Sequence, residues 1–200
     1  MVEGMTIPGY DAIILSGGRA SRLGSPKQRL AYAGATLLER ACAACATARA
    51  VVVAGPTEID PPAGVRFAPE DPPFGGPVAG IASGLAALAT TGERADWVLV
   101  LAVDHPELPA AVPALLSALP EAVPEVDSVL LEHRGEPQIL LGAHRTDALH
   151  RALAALGRTR DVSVRRLQAD LRRTTVTVTD VDLSDVDTPA DAARFGIDLD

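Results

Sequence analysis

The apolar residues of the chain fall into short continuous runs separated by stretches in which apolar and polar positions mix. The runs at residues 12–15, 51–54 and 97–102 are typical of strands buried on both faces. The stretch at 36–48 has apolar residues at helical spacing, and the stretch at 78–89 is rich in small residues, so both predict helices. This alternation of strands and helices predicts a parallel sheet covered by helices on both faces.

The remaining elements are less regularly spaced. We predict a strand at residues 64–67, a helix at 109–119, strands at 127–132 and 138–142, a helix at 145–156 and a strand at 175–181. Pro113 is expected to interrupt its helix. Antiparallel pairing of the two middle strands would make the sheet mixed. The expected fold class is α/β: a Rossmann-like three-layer α/β/α sandwich with a mostly parallel, mixed sheet.

Length and composition favour one globular domain. The chain has 200 residues, 48% of them apolar, and we predict a flexible leader at 1–9 followed by a single domain at 10–200. The net charge of −8 argues against a nucleic-acid partner. No apolar run could span a membrane, and residues 1–11 lack the features of a signal peptide. We expect a cytoplasmic protein that is a monomer or a weak homo-oligomer.

The only cysteines, Cys42 and Cys45, have the C-x-x-C spacing of redox and metal sites. They lie inside an alanine-rich helical stretch and have no histidines nearby. A zinc site would need further ligands. We therefore expect both cysteines to pack in the core.

A glycine-rich and basic loop follows the first predicted strand. Gly17 and Gly18 are adjacent, and Arg19, Arg22 and Lys27 add three positive charges. Glycines allow a backbone to approach a ligand closely, and successive free N–H groups form an anion-binding concavity. The spacing matches neither the Walker loop nor the dinucleotide fingerprint. The loop is predicted to hold a polyphosphate; the alternative is an ordinary turn with surface arginines.

A carboxylate stands just beyond the strand at 97–102. Asp104 is well placed there to hold Mg²⁺, a cation that prefers oxygen ligands, although an aspartate near a proline can also cap a turn. Because ligands of such sheets bind at the carboxyl ends of the strands, we expect Asp104 and the glycine loop to meet on one edge.

These motifs resemble the MobA/MocA-type NTP transferase family, whose signature is L-x-G-G-x-x-x-R-x-G…K and whose nearest members attach a nucleotide to molybdopterin. Residues 15–27 carry this match. The segment 70–80, EDPPFGGPVAG, resembles the guanylyltransferase branch, whereas SPKQ at 25–28 is more similar to the cytidylyltransferase branch. Residues 185–191, DVDTPAD, resemble a further family motif, and the resemblance covers residues 12–195.

The resemblance implies a fold of the nucleotide-diphospho-sugar transferase type and a Mg²⁺-dependent enzyme. The implied reaction moves GMP from GTP to the phosphate of molybdopterin or molybdenum cofactor and releases pyrophosphate. The resemblance assigns catalysis to Lys27, Arg22 and Asp104, nucleotide binding to Leu15, Ser16, Gly17, Gly18, Lys27, Asp71, Gly76, Pro77 and Asp104, and the metal to Asp104 and Asp187.

Three other possibilities remain open at this point. The chain could use CTP, it could act on another phosphorylated acceptor such as a sugar or phospholactate, or it could be a non-catalytic carrier of the cofactor. An arginine cluster in the second half of the chain also has two interpretations, a solvated helix face or a site for the acceptor phosphate. Its members are Arg158, Arg160, Arg165, Arg166, Arg172 and Arg173.

Overall fold

The computed structural model describes residues 7–17, 23–55, 59–92, 94–119 and 122–199, so most of the predicted leader lies outside it. Its strands are β1 (Tyr10–Leu15), β2 (Ala31–Tyr32), β3 (Ala35–Thr36), β4 (Val51–Gly55), β5 (Arg66–Pro69), β6 (Trp97–Ala102), β7 (Ser128–His133), β8 (Glu136–Arg145) and β9 (Arg173–Thr177). Its α-helices are α1 (Leu37–Ala44), α2 (Pro77–Ala89), α3 (Leu108–Ala118), α4 (Thr146–Leu156), α5 (Val164–Leu167) and α6 (Pro189–Phe195).

In the described residues, seven strands form one sheet in the order β5-β4-β1-β6-β8-β7-β9. The pairs β5–β4, β4–β1, β1–β6 and β7–β9 are parallel, while β8 runs antiparallel to both of its neighbours. The predicted mixed, mostly parallel sheet is confirmed. The carboxyl ends of β1, β4, β5, β6 and β7 therefore lie on the same edge, which we call the carboxyl edge; the opposite one is the amino edge.

The sheet separates two layers of helices. One apolar cluster joins α1 and α3 to one face of β1, β6 and β7, and a second joins α2, α4 and α5 to the other face. The side chains of β1 and β6 are buried throughout, as their continuous apolar sequence predicts. Helix α2 approaches β1 closely because Gly84 has no side chain: a Cβ there would lie 2.7 Å from Ile13 Cγ2.

Several predicted elements differ from the observed ones in bounds or continuity, and three of the differences are informative. Pro113 does not interrupt its helix, because α3 continues through it and buries Leu115 and Leu116 beyond it, so tertiary packing outweighs the lost hydrogen bond. The last strand ends at Thr177 instead of residue 181, since its parallel partner β7 ends at His133. Helix α1 is shorter than predicted and is followed by a turn after Cys45.

The cysteine prediction is confirmed. Cys42 and Cys45 are free thiols that are buried against the same apolar cluster as α3. Burial raises the pKa of Cys42 to about 11 and that of Cys45 to about 12, so both are unreactive thiols at neutral pH. None of the helices in the described ranges has the length and apolar character needed to cross a bilayer.

Candidate active site

A cleft of about 400 Å³ opens at the carboxyl edge of the sheet. It lies where β1 and β6 end and where α2 begins. Its lining residues are Leu15, Gly17, Glu70, Phe74, Gly76, Pro77, Ala102, Val103, Asp104 and Leu140. Five of the residues predicted for the nucleotide, Leu15, Gly17, Gly76, Pro77 and Asp104, are thus brought together. Gly18 and Arg22 lie outside the described residues.

Lys27 is the centre of an ion-pair cluster at this cleft. Its amine lies 2.8 Å from Asp104 Oδ2 and also contacts Asp187 Oδ1. Burial acts to lower the pKa of Lys27, but the two carboxylates together outweigh burial, so the pKa is raised and the amine stays charged. Lys27 is the only lysine of the chain, although arginine is abundant elsewhere. Position 27 therefore carries a compact ammonium group, whereas arginine supplies the guanidinium groups found elsewhere in the chain.

A third carboxylate completes the cluster. Carboxylate oxygens of Asp104, Asp185 and Asp187 all lie within 4.8 Å of one another. Burial and the neighbouring charges of Asp187 and Asp104 raise the pKa of Asp185. Asp185 was missed in the sequence, although its spacing of two residues from Asp187 was a usable signal, since residues i and i+2 of an extended segment face the same side. A set of oxygen ligands like this one fits a hard divalent cation.

Backbone contacts fix the aspartate segment against the end of β6. The N–H of Val186 donates to the carbonyl oxygen of Asp104 at 2.9 Å, and a ring nitrogen of His105 lies 2.8 Å from the carbonyl oxygen of Leu183. Val186 itself is fully buried. The segment then enters α6 through a capping box formed by Thr188 and Asp191, as the Thr-Pro sequence predicts. The two aspartates of this segment are therefore held beside Asp104.

Glu70 is the acidic group on the other side of the cleft. It follows β5 and is only 9% exposed. Its Oε1 lies against the Cα of Gly17, so closely that a Cβ at Gly17 would overlap it. Burial raises the pKa of Glu70, and a hydrogen bond from the N–H of Phe74 opposes this shift. The Phe74 ring is 56% exposed and also lines the cleft.

The structure places Glu70 in the cleft and leaves its neighbour Asp71 outside the lining. Asp71 is exposed, and its N–H donates to Ser83 Oγ at 3.2 Å. The assignment of Asp71 to the nucleotide stays a prediction. Ser16 also does not line the cleft; it is buried, and its N–H donates to the carbonyl oxygen of Ala54 at 2.8 Å. Which of two adjacent acids points inward depends on the turn after β5, which the sequence does not specify.

The arginine cluster does not form one helical face. Arg165 and Arg166 lie on the short helix α5 and are exposed, while Arg172 pairs with Asp127 at 3.2 Å on the amino edge. The loop before α5 does reach the cleft region, since the N–H of Asp161 donates to the carbonyl oxygen of Gly75 at 2.9 Å. The loop that carries Arg158 and Arg160 is therefore held beside the cleft, and the acceptor-phosphate interpretation of the arginines stays a prediction.

A mixed sheet of this order, with Gly17, a lysine and carboxylates at its carboxyl edge, defines a nucleotidyltransferase fold. The family model described as the MobA-like NTP transferase domain matches residues 12–175. The chain belongs to this family, as its motifs predict, and its fold is that of the nucleotide-diphospho-sugar transferases.

Individual relatives agree with this assignment. A probable molybdenum cofactor guanylyltransferase from Chloroflexus aggregans is 36% identical over 164 residues, which are 78% of this chain and 73% of the relative. The structure of molybdopterin-guanine dinucleotide biosynthesis protein A from Archaeoglobus fulgidus matches with a TM-score of 0.67 and 19% identity, covering 92% and 96% of the two chains. Rv0371c from Mycobacterium tuberculosis, solved in complex with manganese, matches with a TM-score of 0.68 and 18% identity over 94% and 97%.

Proposed function

We propose that the chain transfers GMP from GTP to the phosphate of molybdopterin or molybdenum cofactor and releases pyrophosphate. The observation that carries the proposal is the pairing of two different polar groups in one cleft. Glu70 lines the cleft, and so does Asp104, which shares the charged cluster with Lys27 and Asp187. The first suits a base with hydrogen-bond donors, and the second suits a polyphosphate with its metal ion. The names of the relatives support the same reaction.

Glu70 supports guanine as the base. An ionised carboxylate only accepts hydrogen bonds, and guanine offers two adjacent donors, N1–H and the N2 amino group. Cytosine offers a single amino group beside acceptor atoms, which would face the lone pairs of the carboxylate. A site built to receive two donors rejects a base that lacks them, because its buried acceptor is then left unpaired. The exposed ring of Phe74 at the mouth of the cleft would cover the face of a bound base.

The charged cluster supports transfer at the α-phosphate. A phosphate oxygen of the acceptor attacks the α-phosphorus, a new P–O bond forms, the bond from the α-phosphorus to the bridging oxygen breaks, and pyrophosphate leaves with the electron pair. The acceptor is already ionised, so the task of the protein is alignment and charge neutralisation. The glycine loop would cradle the triphosphate, and Lys27 would stabilise the negative charge that develops during the transfer.

Asp104 and Asp187, with Asp185, would hold the Mg²⁺ ion. Their oxygen ligands within 4.8 Å suit Mg²⁺ or Mn²⁺ and offer none of the nitrogen or sulfur ligands that zinc prefers. A divalent ion held there would supply positive charge to offset the negative charge of the phosphates. The contact of Lys27 with the same carboxylates keeps the amine within reach of the phosphates that this ion would bind.

A nucleotide competition assay tests the proposal. The purified protein is incubated with Mg²⁺, molybdopterin and equal GTP, CTP, ATP and UTP, and the dinucleotide products and pyrophosphate are quantified. Incorporation of GMP is expected to exceed that of every other nucleotide. Predominant CMP incorporation would assign the cytidylyl reaction instead. Parallel incubations replace molybdopterin with a phosphorylated sugar or phospholactate, and pyrophosphate release only in these would assign another acceptor. Absence of pyrophosphate release with every nucleotide would indicate that the protein is a non-catalytic carrier of the cofactor.

Two adjacent acids provide a matched pair of variants for the base. Glu70→Gln is expected to raise the KM for GTP about tenfold or more, because guanine then meets an amide in place of a carboxylate. Asp71→Asn is the control and should leave this KM within about twofold, since Asp71 lies outside the cleft lining. The reverse result would assign base recognition to Asp71, as the family resemblance implies.

A further inference from the structure

The segments that carry Lys27, Asp104 and Asp187 also contact one another a few residues further along the chain. We call this meeting point the Tyr32 cluster; its members are Tyr32, Arg40, Glu107 and Phe195. Tyr32 follows Lys27 by five residues, and Glu107 follows Asp104 by three. Phe195 ends α6, the helix that starts directly after the aspartate segment. The cluster therefore joins three segments of the site at a place outside the cleft lining.

The contacts within the Tyr32 cluster are specific. The hydroxyl of Tyr32 donates a hydrogen bond to Glu107 Oε1. Arg40 Nε donates to the carbonyl oxygen of Pro106 at 2.9 Å, and its guanidinium lies 4.7 Å above the Tyr32 ring. Phe195 meets the same ring edge-on, with centroids 5.8 Å apart. The Tyr32 ring thus contacts side chains of both α1 and α6, while its hydroxyl reaches the turn after β6.

We propose that Tyr32 and Glu107 are positioning residues: their hydrogen bond sets the distance between the Lys27 segment and the turn that carries Asp104. The proposal rests on the proposed function, since the placement matters for transfer at the α-phosphate. Neither residue lines the cleft. Both act through Lys27, whose amine must lie within hydrogen-bond distance of phosphate oxygens to neutralise charge.

The 3-10 helix that carries Lys27 has few restraints within itself. Lys27 lies in a three-residue 3-10 helix that has no side-chain cap and buries none of its residues. The strands that follow, β2 and β3, have two residues each. The ion pairs of Lys27 with Asp104 and Asp187 restrain the backbone weakly, because lysine carries its charge on a flexible four-carbon stem. A shift of about 1 Å in a positioning element can cost about 100-fold in rate.

The Asp104 side of the pair is held independently of Tyr32. Asp104 accepts a backbone hydrogen bond from Val186, and the ring of His105 contacts the carbonyl oxygen of Leu183. Loss of the Tyr32 hydroxyl should therefore release the Lys27 segment while the aspartates stay in place. In a positioning role only the Lys27 segment would move, whereas general loss of structure would also displace the aspartates.

Tyr32→Phe is the first test, and the second tyrosine of the chain provides its control. Tyr32→Phe keeps the ring contacts with Arg40 and Phe195 but removes the hydroxyl. We expect kcat to fall about tenfold with the KM for GTP within about twofold. Tyr10→Phe removes an equivalent hydrogen bond, to Thr47 Oγ1 at 2.6 Å, on the amino edge. This control should leave kcat unchanged, and both variants should have similar melting temperatures.

A second measurement does not depend on turnover. Because Lys27 is the only lysine, an amine-selective acylating reagent labels one side chain and the chain terminus, which peptide mass spectrometry separates. The ion-paired amine should react slowly in the wild-type protein and in Tyr10→Phe, and several-fold faster in Tyr32→Phe. If the protein proves not to transfer nucleotides, this labelling result still stands and tests the positioning contact by itself.

Substitutions of the partner decide whether the hydrogen bond is the cause. Glu107→Gln retains an oxygen that can accept from the Tyr32 hydroxyl and should keep wild-type kcat and labelling. Glu107→Ala also removes the 3.8 Å ion pair of Glu107 with Arg40. Its loss should therefore be at least as large as that of Tyr32→Phe, and the double variant should be no worse than Glu107→Ala. Additive losses, or unchanged labelling of Lys27 in Tyr32→Phe, would overturn the proposal.

Discussion

The two edges of the sheet use polar residues in different ways. On the amino edge, two buried side chains bond to one backbone residue: Asp11 Oδ2 accepts from the N–H of Ala95 at 3.3 Å, and the hydroxyl of Thr146 donates to the carbonyl oxygen of Ala95 at 2.8 Å. On the carboxyl edge, Asp104 and Asp187 share a lysine. The first arrangement fastens segments together, whereas the second gathers charges around a cleft.

The difference shows which polar groups contribute to stability and which are held in place at a cost in stability. A side chain bonded to the backbone satisfies a group that burial would otherwise leave unpaired. Carboxylates brought within 4.8 Å of one another repel, and this repulsion adds to burial in raising the pKa of Asp185. Strained charge clusters of this kind are typical of ligand sites, because the ligand supplies the missing counter-charge.

The largest effect is expected at Lys27. Lys27→Ala removes the cation that would stabilise developing charge on the α-phosphate, and we expect turnover to fall about 100-fold or more in a pyrophosphate-release assay. Arg29→Ala is the control, because Arg29 lies in the same 3-10 helix but is exposed. Turnover near the wild-type level in Lys27→Ala would remove the role of the lysine.

The next effect concerns the metal ion. Asp187→Asn removes one anionic ligand, and we expect the affinity for Mn²⁺, measured by electron paramagnetic resonance, to fall about 10-fold or more. Asp185→Asn should have a similar effect if the third carboxylate contributes to the site. Asp180→Asn, an exposed aspartate nearby in the chain, is the control. Equal affinity in all variants would place the ion elsewhere.

A smaller effect is expected in the pH dependence of GTP binding. The pKa of Glu70 is raised by burial, and guanine donors would bind its ionised form. As the pH falls, protonation of Glu70 competes with GTP, so the KM for GTP should rise, beginning above the usual carboxyl range. Glu70→Gln should make this part of the profile flat.

The same substitution should not destabilise the fold. The folded protein holds the Glu70 proton more tightly than the unfolded chain, so ionisation at neutral pH costs stability, and Glu70→Gln removes that cost. A melting temperature at or above the wild-type value is expected at neutral pH. A clear decrease would indicate that Glu70 is a structural group like those of the amino edge.

The smallest effect on activity is expected at the amino edge. Thr146→Val removes a hydroxyl that is bonded to a backbone carbonyl and is buried. The free energy of unfolding should fall by about 1–2 kcal/mol, measured by urea unfolding, with kcat and KM unchanged. A kinetic defect without a stability change would contradict the contrast between the edges.

Much of this protein could be predicted from residue types in order along the chain. The continuous apolar runs at 12–15, 51–54 and 97–102 predicted buried parallel strands, because only strands covered on both faces need no polar alternation. Strand direction then placed the glycine loop and Asp104 on one edge. The Thr188-Pro189 pair predicted the start of α6, and the alanine-rich surroundings predicted buried cysteines. These features depend on local residue spacing and on the order of strands and helices, both of which can be inferred from the sequence.

Other features depend on contacts between distant segments. The choice of Glu70 over Asp71 follows from the turn after β5 and from the absence of a side chain at Gly17. Pro113 stays inside α3 because the leucines beyond it are buried. The sequence by itself determined the fold class and the edge on which the site lies; only the tertiary structure decided which carboxylates face one another there, because side-chain direction and packing are set by neighbours that the linear pattern does not identify.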